Sequence, residues 1–311
     1  MMRAPDFWQN RSPLALLLAP LGWLYGASVA LRAALANPAQ ARARVLCVGN
    51  LTAGGSGKTP VALALGAALM ARGKTIAFLT RGYGGSLAGP VMVSPNDDAA
   101  RVGDEALLLA NIAPTILAAD RAVGARLTDA DVIVMDDGHQ NFMLAKTLSV
   151  VVVDGETGFG NGLMIPAGPL REPVAQGLAR ADAVVIMGGG DVALGDFRGP
   201  VLRANLTADG EAFRGMRVFA FAGIGRPQKF IASLEQAGAI VTGSRFFPDH
   251  HPYSLGDLDC LIKQAGGAQL VTTQKDFVRL APHQRSGIAV LSVRAVFDDP
   301  AQVSALLDRL A

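Results

Sequence analysis

The chain has 311 residues, half of them hydrophobic, with abundant glycine, few aromatics and a formal charge of +2; it is long enough for two α/β domains with proper cores. Cys47 and Cys260 are too few and too far apart for a disulfide framework or a thiolate metal site, and read as reduced thiols of a cytoplasmic protein. No basic stretch interleaved with aromatics is present, so nucleic acid is not expected as a partner.

The charge is unevenly spread. Arg3, Arg11, Arg32, Arg42 and Arg44 against Asp6 give residues 1–44 a net +4 and leave −2 for the remainder. Residues 12–31 carry no charge between Arg11 and Arg32, and at about 20 residues just reach the length of a bilayer span. Pro20, Gly22 and Gly26 interrupt the run, and Trp23 and Tyr25 sit near its middle rather than at its ends. A cleaved signal peptide, with Ala34-Leu35-Ala36 as its cleavage site, fits the pattern, but a nucleotide-binding loop soon afterwards argues against export. A true span and an ordinary buried helix are the other readings. The expectation is a helix lying in or dipping into the cytoplasmic face of a membrane, beside a basic flank suited to anionic lipid.

Residues 45–49 read as a buried strand, followed by the glycine-rich stretch Asn50-Leu51-Thr52-Ala53-Gly54-Gly55-Ser56-Gly57-Lys58-Thr59 and by an Ala/Leu-rich helix with Pro60 near its start. Strand, glycine-rich loop, Gly-Lys-Thr and helix build a phosphate-binding loop, in which backbone N–H groups and a helix N-terminus face phosphate oxygens. Lys58 is expected to reach the β- and γ-phosphates and the Thr59 hydroxyl to ligate Mg²⁺. Thr52 stands where the usual pattern has glycine.

Residues 75–80 form a second strand ending at Arg81-Gly82-Tyr83-Gly84-Gly85, either a ligand-facing loop or a plain turn. Asp104-Glu105 opens a helical run, and by position alone such a pair caps a helix. After a short strand at 116–118 come Asp120 and Arg121. Residues 131–136 are an apolar strand closed by Asp136-Asp137, the arrangement in which a strand-end carboxylate holds the Mg²⁺ shell opposite the loop threonine; either aspartate fits. Two more strands, 148–154 and 183–187, flank a Gly/Pro-rich loop at 158–173 that fixes Arg171-Glu172 between prolines. Loops of that length without structure of their own are usually functional or disordered.

The composition shifts between 188 and 215, and the division expected is a membrane-associated segment (1–44), a phosphate-loop core (45–200), a linker (201–216) and a smaller α/β domain (217–311). The second domain has strands near 218–221, 239–242, 270–273 and 288–293, helices at 227–237 and 300–310, and the segment Asp249-His250-His251. Those histidines lack the spacing of a metal site and suit hydrogen-bonding or acid/base work.

In their order these motifs resemble the tetraacyldisaccharide 4′-kinases of lipid A biosynthesis. The likeness rests on the apolar N-terminal helix, the loop from Gly49 to Pro60 with its Thr52, Arg81-Gly82-Tyr83-Gly84, Val102 to Glu105, Asp136-Asp137-Gly138 with Gln140, Pro166 to Pro173, Asp249-His250 and Lys275-Asp276. One corner departs: the family pattern has an apolar residue and a His around that Gln, and here His139 precedes it and Asn141 follows.

The resemblance implies a P-loop NTPase-like fold, mostly parallel, and transfer of the γ-phosphoryl group of ATP to the 4′-hydroxyl of an acylated glucosamine disaccharide 1-phosphate at the cytoplasmic face of the bacterial inner membrane. It implies that Thr52, Ala53, Gly54, Gly55, Ser56, Gly57, Lys58 and Thr59 bind ATP. Thr59, with Asp136 or Asp137 and Glu172, would hold Mg²⁺, and Asp104 would be the base, paired with His250 of a closing second domain. Arg81, Arg121, Arg171 and Gln140 would face the substrate, guanidinium forks being suited to phosphate. No obligate protein partner is implied. A membrane-associated switch ATPase is the rival, but such proteins commonly carry Lys where this chain has Ala53. A GTPase would need Asn-Lys-x-Asp, and Gln274-Lys275-Asp276 lacks the spacer.

Overall fold

The computed structural model describes residues 5–225 and 227–310; Arg3, counted above in the basic N-terminal segment, lies outside them. Among the described residues twelve strands form one sheet: β1 (Arg44–Gly49), β2 (Ile76–Thr80), β3 (Val91–Val93), β4 (Thr115–Leu117), β5 (Val132–Asp136), β6 (Leu148–Asp154), β7 (Ala183–Met187), β8 (Val201–Asp209), β9 (Arg217–Ala222), β10 (Ile240–Phe246), β11 (Gln269–Thr273) and β12 (Ile288–Phe297). Their order is β10-β9-β11-β12-β8-β7-β6-β1-β5-β2-β4-β3. Pairing is parallel except for β3 with β4 and β8 with β12.

The apolar runs of the central strands follow from burial of both faces. In β1, Leu46 and Val48 pack with Phe78, Val134 and Val150 under helix α2 (Lys58–Ala71), while Val45 and Cys47 face Ile133 and Met135 on the other side. Strands β5, β2 and β4 lie on one side of β1, and β6 and β7 on the other. The order reverses at β1, and the crevice beyond the carboxyl end of such a strand is where open α/β sheets bind ligands.

Residues 201–209, expected to belong to a linker, are strand β8, parallel to β7 and antiparallel to β12. Leu202 and Ala204 are buried while Arg203 and Asn205 face outward, and those polar side chains hide the strand from a reading of composition. The final helix, Pro300–Leu307, sends Val303, Leu306 and Leu307 into the same core as α2 rather than into that of β9 and β11.

Helix α1 (Pro13–Ala34) is capped by Ser12, whose Oγ accepts from the Ala15 amide at 3.2 Å. Its buried stripe is small, Ala15, Ala19, Gly22, Gly26 and Val29, and its large side chains, Leu14, Leu17, Leu21, Trp23, Leu24 and Leu31, point outward. A soluble helix shows the reverse. The glycines allow close approach to Met164: a Cβ on Gly22 would lie 2.8 Å from its carbonyl oxygen. The helix is long and apolar enough to cross a membrane, with mean hydropathy 1.8.

Candidate active site

The phosphate loop is shaped at both ends. A Cβ on Gly49 would lie 2.6 Å from the His139 Cβ, so β1 can end there only with glycine. Asn50 Nδ2 donates to Ser56 Oγ at 3.0 Å and closes the loop. Gly57, at φ 85°, turns the chain into α2 with no side chain capping the helix. Around Gly54 and Gly55 there is open space, and among the described residues the amides of 54–57 have no acceptor. Oriented, unpaired N–H groups before a helix N-terminus form an anion cradle. Ala53, expected to share in that cradle, donates its amide to the Pro169 carbonyl at 2.7 Å instead. With Thr52 bridged to Leu170 and the Arg171 amide donating to the Leu51 carbonyl at 2.8 Å, this stitches the 158–173 loop to the phosphate loop.

Asp136 ends β5 beside Val48 of β1, and its Oδ2 accepts the Thr59 hydroxyl at 2.9 Å. Burial and the nearby Glu105 carboxylate push it up to about 7, against the opposing charge of Lys58. Its buried Oδ1 has no partner among the described residues. An orphaned carboxylate oxygen beside a hydroxyl, in a site that resists negative charge, fits a divalent cation. Asp137 is turned away at φ 51°; Arg171 Nη1 grips both its oxygens, at 2.9 and 3.1 Å, and Lys58 stands 3.8 Å away. Burial raises the Asp137 carboxyl, but Lys58 and Arg171 more than offset it, so the group stays ionised.

Two residues assigned from sequence are otherwise engaged. Both oxygens of buried Glu172 are occupied, by Gln140 Nε2 at 2.9 Å and by Arg180 Nη2 at 2.5 Å, so its contacts are those of a brace rather than of a metal ligand. Gln140 also donates to the Asn50 carbonyl at 2.7 Å and so braces the loop. The departing corner is structural. His139 is fully buried, its Nε2 2.9 Å from the Gly177 carbonyl, and burial and Lys146 hold it down to about 4. Asn141 Oδ1 closes a turn by accepting from the Met143 and Leu144 amides.

Asp104 opens the helix Asp104–Ala110 after Gly103, whose φ of 86° ends the preceding turn. The carboxylate is buried, and its Oδ2 lies 3.0 Å from His250 Nδ1 and 3.9 Å from Lys275 Nζ, both contributed by the far half of the sheet. Burial raises the carboxyl, but the hydrogen bond to His250 and the charges of Lys275 and Arg279 hold it well below the usual range. His250 is itself constrained, at φ 60°. Glu105 joins the two corners: Lys275 lies 3.4 Å from it, and its charge is felt at Asp136. Arg121 is buried, donating to the Ala118 and Ala119 carbonyls, with its Nε unpaired among the described residues. Burial and the charge of nearby Arg81 bring it down to about 10. Arg81 itself is exposed at the end of β2, near enough for its charge to act on Arg121.

A family model described as tetraacyldisaccharide-1-P 4′-kinase matches residues 14–311. The chain belongs to this kinase family. Proteins called tetraacyldisaccharide 4′-kinase from Paramagnetospirillum magneticum and Rhodospirillum rubrum are each 49% identical to it, over 99% of this chain and 99% and 98% of their own length. One from Methylorubrum extorquens is 52% identical over 96% of this chain and 95% of its own. A crystal structure of LpxK from Aquifex aeolicus in complex with ATP shares the fold, with TM-score 0.79 at 24% identity, covering 96% of this chain and 99% of that one. In this member of the kinase family the residues missed by sequence reasoning are Arg279, Tyr253, Arg180 and Asn50. Asn50 stood unremarked in the glycine-rich stretch, and Arg279 left a trace three residues after Asp276 with the charge to pair with it.

Proposed function

We propose that the chain transfers the γ-phosphoryl group of ATP to the 4′-hydroxyl of a tetraacyl glucosamine disaccharide 1-phosphate, a step of lipid A biosynthesis. The amides of 54–57 and Lys58 cradle the phosphates. Thr59 and Asp136 would hold Mg²⁺, which neutralises charge on the β- and γ-phosphates. The sugar oxygen forms its bond to the γ-phosphorus as the bond to the β–γ bridging oxygen breaks, ADP leaves with that electron pair, and the hydroxyl proton passes to Asp104 beside His250. Arg81, Arg121 and Arg171 take the phosphate charges of substrate and transition state, with Asp137 orienting Arg171.

The membrane part follows from connectivity. Trp8 Nε1 donates to the Pro166 carbonyl at 3.0 Å and Arg11 Nε to the Asn161 carbonyl at 3.2 Å, so the segment carrying α1 is fastened to the loop that lines the phosphate site. The outward leucines of α1 would seat the enzyme on the cytoplasmic leaflet of the inner membrane, monotopically, beside the acyl chains of its substrate. Residues 217–311, apart from the final helix seated beside α2, would act as the closing unit.

The Asp104–His250 pair carries this conclusion, because a nucleotide switch has no use for a buried carboxylate–imidazole pair apart from its phosphate loop. Asp104→Ala is expected to abolish transfer to lipid while leaving ATP affinity nearly intact. Equal collapse of ATP binding would make Asp104 part of the nucleotide site instead.

A further inference from the structure

Beside the Asp104–His250 pair stands Arg279. Its Nε donates to Asp104 Oδ2 at 2.9 Å, its Nη2 donates to the same oxygen, and Nη2 lies 3.4 Å from His250 Nδ1. Both side chains of the ion pair are almost completely buried. The guanidinium is fixed from behind: Nη1 donates to the Gly223 carbonyl at 2.7 Å and to Asp276 Oδ1 at 2.9 Å. Asp276, fully buried, is held in turn by the Tyr253 hydroxyl at 2.9 Å, the Gly223 amide at 2.9 Å and the Thr273 hydroxyl at 2.7 Å. The Gly223 carbonyl also accepts the His250 amide at 3.2 Å. One frame, built from Gly223, Asp276 and Tyr253, therefore aims both the imidazole and the guanidinium at a single carboxylate oxygen.

A guanidinium fork commonly spans both oxygens of a carboxylate. Here both nitrogens fall on Oδ2, and among the described residues Oδ1 has one donor, the Glu105 amide at 2.9 Å. The carboxylate is thus gripped at one end, with an acceptor position open at the other. We propose that Arg279 is a positioning residue for phosphoryl transfer: anchored by Asp276 and Tyr253, it holds Asp104 through Oδ2 so that Oδ1 is presented to the acceptor hydroxyl. This rests on Asp104 being the base.

The test is steady-state transfer from ATP to the tetraacyl disaccharide 1-phosphate by the full-length chain as wild type, Asp104→Ala, Arg279→Met, Arg279→Lys and Tyr253→Phe, with kcat and KM followed across pH. The other charged groups around Asp104 are Lys275 and His250 from the opposite half, with Glu105 on its own helix. Arg279→Met is expected to lower kcat about 100-fold, the scale of one acid–base contribution, with KM for ATP little changed and the acidic limb of kcat moved to higher pH. Arg279→Lys restores the position of that limb without restoring kcat, because one ammonium cannot replace the fork. Tyr253→Phe lowers kcat with the limb unmoved, and decides the matter if Arg279→Met does not fold. Wild-type kcat in Arg279→Met or in Tyr253→Phe overturns the proposal, as does a loss in Arg279→Met that leaves the acidic limb in place. An active Asp104→Ala would instead overturn the assignment of the base.

Discussion

Replacing Glu172 by Gln keeps the shape of the side chain and removes its charge. The carboxylate is buried and accepts one hydrogen bond from Gln140 and one from Arg180 at 2.5 Å. A Gln side chain has one oxygen, so one of the two donors would face an amide N–H₂ and lose its partner. A hydrogen bond to a charged group contributes about 1.5–3 kcal/mol. The Arg180 side chain is 34% exposed, so solvent screens part of the ion pair and the expected loss is about 1–2 kcal/mol. For a chain of this size that lowers the midpoint of thermal unfolding by about 1.5–3 °C. The measurement is thermal unfolding of wild type and Glu172→Gln without nucleotide, together with a Mg²⁺ titration of activity. A brace predicts the lower midpoint with the Mg²⁺ requirement nearly unchanged. An unchanged midpoint with a Mg²⁺ requirement raised about tenfold or more, as loss of a metal-site partner produces, would refute this account and return Glu172 to the metal shell.

Thr59→Val removes the hydroxyl that meets Asp136 Oδ2 and should raise the Mg²⁺ needed for half-maximal activity by about 10–100-fold, read by the same titration. Gly49→Ala would drive a Cβ to 2.6 Å from that of His139, an overpacking that costs about 1–3 kcal/mol and is measurable as a lower urea midpoint with weakened ATP binding. His139 titrates near 4 in the fold because it is buried, against about 6.5 in an unfolded chain. Between these values the unfolded state binds the proton and the folded state does not, so its contribution to stability is complete above pH 6.5 and falls as pH drops toward 4, by about 1 kcal/mol per pH unit. Comparing wild type with His139→Gln in urea unfolding from pH 7 to 5 isolates that slope from the opposite contribution of Asp136. Trp23→Ala changes an exposed side chain of α1; it should leave stability within about 0.5 kcal/mol while reducing sedimentation with anionic vesicles.

The phosphate loop was legible in the chain because its parts are consecutive: a buried strand, glycines and a helix start within 16 residues, 45–60. Asp136 was legible as a strand-end carboxylate, but its separation from Asp137 was not. That depends on Asp137 entering positive φ and meeting Arg171, 34 positions away. Glu172, which the family resemblance implies as a Mg²⁺ ligand, meets Arg180 eight residues on, across the short helix Val174–Leu178, a contact that its place in the sequence does not announce. Strand β8 was hidden by its own outward face, and the seating of the last helix against α2 required knowing that β12 crosses back to pair with β8. Asp104 read alone as a helix cap; only the fold brings His250 to it from 146 positions away.

The decisive measurement is transfer of label from γ-labelled ATP to detergent-dispersed tetraacyl disaccharide 1-phosphate, with Lys58→Ala alongside and ATP hydrolysis without lipid in parallel. Labelled lipid with the wild type and none with Lys58→Ala is the result expected of a lipid kinase that cradles ATP at residues 54–59. ATP turnover with no label on the lipid would contradict it and leave a switch-type ATPase on the same fold.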